Sequence, residues 1–312
     1  MNNPFKYSLD NKRYHTYNYY LKSRFNTKVA KVIIDAGFTC PNRDGKKGYG
    51  GCIFCSGKGS GDSNIATGES VLRQYEKNKK VMLRKWPSTL FIPYFQAFSN
   101  TYGPVHKIKE MLEVFIDMDE VCEIAIATRP DCLDDEIIEL LVKINKIKPI
   151  SIELGLQSSN DETALKINRG HTFQEFKDAL EKLNKHNFFV CVHVLNGLPY
   201  EDKDTMLQTI KDINHLPFNA IKIHMLHVIK NSNLGLIYQN NPFPLLSREE
   251  YIDLVIEQLE LLPPEIVVER LTGDPISNEL LAPEWVLNKR TLLNDIDKKM
   301  QQLNTWQGHN FK

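Results

Sequence analysis

Short apolar runs rich in β-branched residues alternate along the chain with longer stretches in which apolar residues recur at the helical period. The short runs predict strands over residues 29–36, 90–95, 123–128, 150–155, 188–194, 221–227 and 266–270. The longer stretches predict helices over residues 69–86, 105–118, 134–147, 172–187, 202–215 and 248–262. Two of these helices begin with a capping box, formed by Thr172 with Glu175 and by Ser247 with Glu250.

This alternation of strand and helix predicts right-handed βαβ units around a parallel sheet. Six or seven units favour an α/β fold with a partial (β/α)6-type barrel over a Rossmann domain, because no G-x-G-x-x-G segment follows the first strand. We expect the barrel over residues 29–280, a basic and aromatic arm over residues 1–28, and a helical extension over residues 281–312. In such a barrel the chemistry takes place at the carboxyl ends of the strands.

Composition and charge exclude several classes of protein. The 312 residues include 39 Lys and Arg and 39 Asp and Glu, so the formal net charge is zero and nucleic acid could be bound only through a local patch. No run reaches the roughly 18 apolar residues of a membrane helix, and the first residues lack the apolar segment of a signal peptide. We therefore expect a cytoplasmic protein with no membrane partner and with reduced cysteines.

Three of the six cysteines lie close together, in a glycine-rich segment after the first predicted strand. Cys40, Cys52 and Cys55 fall within sixteen residues, and half of the 16 glycines lie between residues 37 and 61. Three thiolates with a C-x-x-C pair suit zinc or an iron–sulfur cluster. Structural zinc has four protein ligands, and no histidine lies nearby in the sequence, so the spacing favours a cluster with one open coordination position. A closed zinc loop and three unrelated thiols are the alternatives.

The spacing Cys40-x11-Cys52-x2-Cys55 after a first barrel strand resembles the cluster loop of radical S-adenosylmethionine (SAM) enzymes, in the branch that includes the catalytic subunit of elongator. Between roughly residues 4 and 300 the chain resembles the YhcC/YtqA-type radical SAM proteins in particular. That resemblance is carried by the segments 94-YFQAFSNTY-102, 128-TRPDCL-133, 153-ELGLQS-158, 167-INRGH-171, 197-GLPYE-201, 222-KIHMLH-227 and 270-RLTGD-274.

The resemblance implies a [4Fe-4S] cluster and SAM as cofactors. Three irons would be held by Cys40, Cys52 and Cys55, and the fourth by SAM, whose one-electron cleavage gives a 5′-deoxyadenosyl radical that abstracts hydrogen from the substrate. The residues implied at the SAM site are Phe54 beside the adenine, Gln96, Ser99 and Asn100 at the methionine moiety, Glu153 and Gln157 at the ribose or the amino group, and Arg169. Arg129 and Arg169 are expected to pair with Glu153, since a buried carboxylate needs a partner. An electron donor such as flavodoxin or ferredoxin is also implied.

Three further residues near the strand ends are candidates for a catalytic role. Cys132 is a candidate hydrogen-atom donor, and an inert loop thiol is the alternative. His193 and His224 are candidates for substrate contact or proton transfer, against the more common role of a satisfied buried histidine. Because His224 and His227 are three residues apart on one predicted strand, at most one of them is expected to face the interior.

The sequence contains one local patch that could bind RNA. Residues 11–34 hold six basic residues, interleaved aromatic residues and no acidic residue, which suits either RNA binding or an arm whose rings pack on the barrel. Lys77, Lys79 and Lys80 are expected to form a solvated helix face.

The resemblance favours tRNA as the substrate. It implies conversion of 5-carboxymethylaminomethyl-(2-thio)uridine at the wobble position to 5-aminomethyl-(2-thio)uridine. A radical SAM enzyme acting on a small metabolite or a peptide is one alternative. A non-enzymatic barrel with a structural zinc loop is the other.

Overall fold

Seven parallel strands lie side by side in one sheet, in the order in which they occur along the chain. The computed structural model describes residues 3–57, 59, 68–87, 90–275 and 277–312. Within them the strands are β1 (Val29–Ile34), β2 (Leu90–Phe95), β3 (Ile124–Thr128), β4 (Ile150–Gln157), β5 (Phe189–Asn196), β6 (Ala220–Met225), β7 (Val228–Ile229), β8 (Val267–Arg270) and β9 (Leu280–Ala282). All except β7 and β9, which pair with each other, belong to the parallel sheet. Every predicted strand is present, with bounds shifted by at most two residues.

Helices connect the strands, as the alternating pattern predicts. They are α1 (Tyr17–Phe25), α2 (Val71–Lys85), α3 (Val105–Glu113), α4 (Asp135–Asn145), α5 (Asp161–Lys166), α6 (Phe173–Lys185), α7 (Lys203–Ile213), α8 (Asn233–Asn240), α9 (Arg248–Leu261) and α10 (Lys289–Gln302). Both predicted capping boxes are present, at Thr172 and Ser247. α3 ends earlier than predicted, and α1, α5 and α8 lie outside the helices that the hydrophobic pattern predicts.

The sheet curls far enough for its two edge strands to face each other across the interior. Lys31 on β1 lies 2.6 Å from Glu269 on β8, although these strands are at opposite edges of the sheet. On the other face of β1, Val32 and Ile34 are fully buried in a core that includes Tyr75 of α2. The α/β fold with a partial barrel is therefore confirmed, with seven parallel strands rather than six.

Helix α1, from the basic and aromatic N-terminal segment, packs against the amino ends of strands at the floor of the barrel. Thr16 caps this helix by accepting from the amide of Tyr19 at 3.2 Å, and it forms a bridge beside Val268 of β8. Leu21 is buried between strands, and Tyr17 and Tyr20 pack against the first residues of β5 and β8. These two rings are thus part of the barrel floor.

The two ends of the chain meet on the outside of the barrel. The backbone amide of His15 donates to Gln307 at 2.8 Å, and Arg13 donates to the carbonyl of Thr305 at 3.3 Å. These bonds fix the N-terminal segment, and with it the floor helix, to the chain that follows α10. Among the described residues, no helix combines the length and the apolar composition that crossing a bilayer requires.

Candidate active site

The three clustered thiols lie on the loop that follows β1, above the carboxyl end of the strand. A hydrogen bond of 3.0 Å from the amide of Cys55 to the carbonyl of Cys52 folds the C-x-x-C pair into a turn. Gly50 and Gly51 both have a φ of 78°, a left-handed conformation that glycine adopts without steric cost. The loop therefore turns just before Cys52, and all three thiols, Cys40 included, line one cavity of about 120 Å³.

The positive charge of Arg129 lies beside these thiols. Arg129 lines the same cavity. A hydrogen bond with the Cys55 thiol lowers the pKa of Cys52 to about 7, and the charge of Arg129 acts in the same direction. Burial raises the pKa of Cys40, while Arg129 opposes that rise. Thiols in an electropositive pocket are the kind that bind metal as thiolates.

The three clustered thiols are not all equally close together. Among the described residues, the one trio of candidate ligand atoms within 4.8 Å of one another belongs to Glu153, Cys191 and His193. Cys52 and Cys55 are nevertheless close enough to share a hydrogen bond. Three thiols that line one pocket suit an iron–sulfur cluster.

A second, larger cavity of about 820 Å³ fills the interior of the barrel and adjoins the thiol cavity. Phe54, Gln96, Gln157 and His193 line both spaces, so these side chains stand where the two meet. Gln157 has a φ of 66° and follows a shift in register at the end of β4. Such a bulge re-aims a side chain at the end of a strand. The structure thus brings three predicted SAM contacts and one catalytic candidate together.

The remaining predicted contacts of the methionine moiety lie deeper. Ser99 and Asn100 are both fully buried, and Ser99 lines the thiol cavity. The side-chain amide of Asn100 instead points at the carbonyls of Ala97 and Ala127, at 3.0 and 3.1 Å. Asn100 therefore fixes the loop after β2, and Ser99 is the residue of this pair that faces the thiols.

Glu153 is the centre of a buried group of ionisable side chains on five strands. Its Oε1 accepts from Lys31 at 2.5 Å, and its Oε2 accepts from Nε2 of His193 at 2.6 Å and from Lys222. Glu269 on β8 lies 2.6 Å from Lys31 and 3.6 Å from Lys222. We refer to these five residues as the charged network. Two ammonium groups and two carboxylates give it no net charge when His193 is neutral.

The charged network determines the protonation states of Glu153 and His193. Burial would raise the pKa of Glu153, but the charges of Lys222 and Lys31 hold it well below its ordinary value. Burial and the charge of Lys222 lower the pKa of His193, so its ring is neutral near pH 7. Because a carboxylate can only accept, Nε2 of His193 carries the proton and Nδ1 is left as a proton acceptor.

The predicted pairing of Glu153 with Arg129 or Arg169 is wrong. Arg129 binds Asp131 through two nitrogens, at 2.8 and 3.0 Å. Arg169 is fully buried. Its guanidinium donates to backbone carbonyls around the end of β4 and the loop after α5, namely those of Leu156, Ser158 and His171. With these donors engaged, Arg169 orders the strand end beside Gln157, and its contact with SAM stays a prediction.

Three histidines line the large cavity. The rings of His193 and His224 lie side by side, with centroids 5.3 Å apart, and His227 lines the same space. The expectation that His224 and His227 face opposite sides is wrong, because β6 ends at Met225 and the chain leaves the strand before His227. Burial lowers the pKa of both His224 and His227. The cavity wall therefore presents neutral imidazoles near pH 7.

Cys132 is not brought together with the other candidates. It ends the short 3-10 helix Pro130–Cys132 and is buried. Burial raises the pKa of Cys132 to about 12, so the thiol stays protonated. Although it is a described residue, it lines neither the thiol cavity nor the large cavity.

Some residues of the site were not singled out from the sequence. Lys31, Lys222 and Glu269 are single charged residues inside otherwise apolar strands, and that interruption is the signal that could have identified them. Asn42 is also part of the site, since its amide lies 3.9 Å from Sγ of Cys52 and donates to the carbonyl of Asn168. An asparagine in a loop gives no comparable signal.

Comparison with known proteins agrees with this geometry. The model of the Radical SAM superfamily matches residues 40–213, and that of the Radical SAM C-terminal domain matches residues 218–302. The chain belongs to the radical SAM superfamily, whose members use a [4Fe-4S] cluster and SAM. This membership argues against a non-enzymatic barrel with a structural zinc loop.

Full-length relatives confirm the YhcC/YtqA type. The chain is 43% identical over 311 residues to the protein YtqA of Bacillus subtilis, covering 100% of this chain and 97% of YtqA. It is 33% identical over 303 residues to the protein MJ0486 of Methanocaldococcus jannaschii, covering 95% and 91% of the two chains. It is 29% identical over 283 residues to the protein YhcC of Escherichia coli, covering 90% of each.

More distant similarities cover the fold or part of the chain. The archaeal Methanocaldococcus infernus Elp3 with an N-terminal deletion superposes with a TM-score of 0.67 at 16% identity, over 89% of this chain and 64% of that one. This likeness shows the shared fold. The tRNA uridine(34) acetyltransferase of Methanocaldococcus jannaschii is 26% identical over 155 residues, which is 48% of this chain and 28% of that protein.

Proposed function

We propose that this protein is a radical SAM enzyme that modifies the wobble uridine of tRNA. The reaction is the conversion of 5-carboxymethylaminomethyl-(2-thio)uridine to 5-aminomethyl-(2-thio)uridine. The observation that carries the proposal is the junction of a three-thiol cavity with a cavity of about 820 Å³ inside the barrel. A nucleoside in the large cavity would have its side chain directed at the junction.

Cys40, Cys52 and Cys55 would hold the cluster, and Phe54, Gln96 and Gln157, which line both cavities, would contact SAM. When bound, the cluster and SAM supply the one-electron cleavage of SAM and the removal of a hydrogen atom from the substrate. The protein's own contribution is to position the two reactants and to keep water away from them. The curled sheet serves that purpose by surrounding the interior.

The charged network and the histidines can manage protons in the same space. Glu153 fixes Nε2 of His193 as a donor, which leaves Nδ1 able to accept a proton from the substrate. His224, whose ring centroid is 5.3 Å from that of His193, is the next group that could carry the proton.

The tRNA part of the proposal is supported by a relative rather than by contacts. The tRNA uridine(34) acetyltransferase named above concerns a uridine at the same position, and its similarity spans about half of this chain. The archaeosine synthase subunit beta of Methanosarcina acetivorans is a further relative, 24% identical over 241 residues. A nucleoside in RNA is therefore favoured over a small metabolite or a peptide.

The proposal is tested by anaerobic reconstitution with iron and sulfide, reduction, and addition of SAM with tRNA from cells lacking this gene. We expect 5′-deoxyadenosine together with replacement of the carboxymethylaminomethyl nucleoside by the aminomethyl one. Cys40→Ala, Cys52→Ala and Cys55→Ala should each lose cluster absorbance and both products. Cys122→Ala, which removes a thiol far from the loop, should keep them.

The outcomes separate the two parts of the proposal. 5′-Deoxyadenosine without any change in the tRNA nucleosides would retain the radical SAM assignment and reject the tRNA substrate, in favour of a metabolite or a peptide. Failure to retain iron in the wild-type chain, with Cys40→Ala behaving like Cys122→Ala, would reject the assignment of the three thiols.

A further inference from the structure

A surplus of positive charge lies on the side of the barrel that carries the edge strand β1. Residues 11–34 hold six basic residues and no acidic residue, and residues 68–86 hold six basic and two acidic residues. These segments include α1 and α2, which both pack against β1. They carry ten surplus positive charges in a chain whose net charge is zero. Such a separation of charge attracts a polyanion to this side of the molecule.

Half of these twelve basic residues have a carboxylate partner within the protein, and four of the other six lie at or near the end of α2. The basic residues with a carboxylate partner are Lys12, Arg24, Lys31, Arg73, Lys77 and Lys79. Among the described residues, no carboxylate oxygen lies within 4.0 Å of Lys28, Lys80, Arg84 or Lys85. The last three are exposed on the final two turns of α2. Within the described part of the chain the same holds for Lys22 on α1 and for Arg13, which donates to Asn304 and Thr305.

An exposed aromatic ring joins these cations to the large cavity. Trp86, which ends α2, is 47% exposed, and the ammonium group of Lys28 lies 3.6 Å from the centroid of its ring. Trp86, Lys28 and Met82 line the large cavity. We call Lys28, Lys80, Arg84, Lys85 and Trp86 the β1-edge patch. Lys28 and Trp86 stand at the wall of the large cavity, and the other three cations occupy exposed positions on the last two turns of α2.

We propose that the β1-edge patch binds the phosphate backbone of the substrate RNA and that Trp86 stacks on a base beside the nucleoside that enters the cavity. The inference rests on the proposed function, because it names the surface that brings tRNA to the same site. Enzymes that act on a base take it out of its stack into a pocket. Cations along the backbone and a ring for the neighbouring base are the usual elements of single-strand binding.

RNA fits this surface better than an acidic redox protein does. Lys28 precedes β1, whereas Cys40 follows it, so the patch and the thiols are separated by the length of a six-residue strand, about 20 Å. An electron donor would have to approach the thiols from their own end of the barrel. A nucleotide reaches them from the patch through the cavity, because the lining of that cavity runs from Trp86 to Phe54.

The test compares two sets of three neutralising substitutions in the full chain. Lys80→Gln/Arg84→Gln/Lys85→Gln removes three cations of the patch, and Lys107→Gln/Lys143→Gln/Lys146→Gln removes three other exposed cations, on α3 and at the end of α4. Binding of labelled tRNA is measured between 0.1 and 0.4 M salt. Loss of three phosphate contacts should weaken binding about 100-fold at 0.1 M salt and make the slope of log K against log salt shallower by about 2. The control set should bind like the wild type.

The stacking role of Trp86 is tested by removing its ring. Trp86→Leu should weaken binding of tRNA roughly 5- to 100-fold, and Trp86→Phe, which keeps a ring, should restore most of it. RNA should quench tryptophan fluorescence in the wild type and quench it less in Trp86→Phe. 5′-Deoxyadenosine formed without RNA should be unchanged in Lys80→Gln/Arg84→Gln/Lys85→Gln, since none of these three residues lines either cavity.

Each outcome bears on a distinct claim. If the wild type modifies tRNA while the patch variant binds it with the affinity and salt slope of the control set, the inference is overturned and the proposed function stands. If the wild type neither binds nor modifies tRNA, both are rejected. If the patch variant binds tRNA normally but is reduced more slowly by flavodoxin, the surface belongs to the electron donor and the inference is again overturned.

Discussion

The charged network predicts a large and specific effect of replacing Glu153 by Gln. The substitution keeps the size of the side chain and removes one negative charge. Lys31 and Lys222 then share the carboxylate of Glu269, which is 2.6 Å from the first and 3.6 Å from the second. One positive charge is left without compensation in the barrel interior, where the side chain of Glu153 is 0% exposed and that of Lys222 is 7% exposed.

The size of the effect follows from burial. Removing one partner of a buried ion pair costs about 3–5 kcal/mol, because the remaining charge stays desolvated without compensation. We expect Glu153→Gln to lower the free energy of unfolding by an amount in that range at pH 7. Glu120→Gln is the matched control, since Glu120 also accepts from a lysine, but its side chain is 36% exposed. An exposed pair contributes at most about 1 kcal/mol.

Urea unfolding of both variants provides the measurement, and a second substitution tests the cause. Glu153→Gln/Lys222→Met removes the uncompensated charge and should recover part of the loss. If Glu153→Gln costs no more than Glu120→Gln, or if the double variant is no more stable than Glu153→Gln, the argument from charge is refuted and the network acts only by packing.

The contribution of Glu153 to the free energy of unfolding should change with pH in one direction. The pKa of Glu153 in the folded protein lies well below its ordinary value, because Lys222 and Lys31 outweigh the effect of burial. A depressed pKa stabilises the folded state above the unfolded value of about 4.3, and this contribution is lost as the pH falls further. The difference between the wild type and Glu153→Gln should therefore be constant near neutrality and should shrink below about pH 4.

Three further predictions concern other parts of the structure. Arg169→Lys should destabilise the protein by at least about 2 kcal/mol in urea unfolding, because an ammonium group cannot satisfy all the buried carbonyls that the guanidinium reaches. The control is Arg290→Lys at an exposed position, which should have no effect. Gly155→Ala should leave the fold intact but raise the Kd for SAM in equilibrium dialysis, because the added Cβ lies 2.9 Å from Nε2 of Gln157 and displaces that amide; an unchanged Kd would remove Gln157 from the SAM site. His15 has a pKa lowered by burial, so it stabilises the folded state less as the pH falls below about 6.5, where the unfolded chain takes up a proton. His15→Gln should reduce the slope of stability against pH there by up to one proton, and an identical slope would contradict this.

The parallel strands could be predicted closely because both of their faces are covered. A strand buried on both sides appears as a continuous apolar run, which is easy to find in a sequence. Helix α1 could not be found in this way. Its residues 17–25 are largely aromatic and basic with no apolar stripe, and its position in the floor depends on the cap at Thr16 and on contacts with the starts of distant strands.

The thiol site could be predicted from local spacing, whereas the partners of Glu153 could not. Cys52 and Cys55 lie in one turn, so their proximity is encoded within a few residues. Lys31 and Lys222 reach Glu153 from β1 and β6, which are not neighbours of β4 in the sheet. Their contact arises only from the curl of the sheet. The sequence predicts that Glu153 needs a cation, but Arg129 and Arg169 are not the cations that the barrel brings to it.

The charged network explains how this barrel can enclose a large cavity. Closed β/α barrels fill their interior with layers of apolar side chains, and apolar residues at these positions would gain free energy by filling the space. The paired ions of the charged network instead stay on the cavity wall, because each buried charge is stabilised only while it remains in contact with its partners. Replacing a whole buried ion network by apolar residues is often neutral or stabilising, whereas removing one member is costly. The large loss expected for Glu153→Gln is therefore no measure of net stabilisation. The network is better understood as the arrangement that keeps the interior open, with His193 oriented by Glu153 at the edge of the thiol cavity.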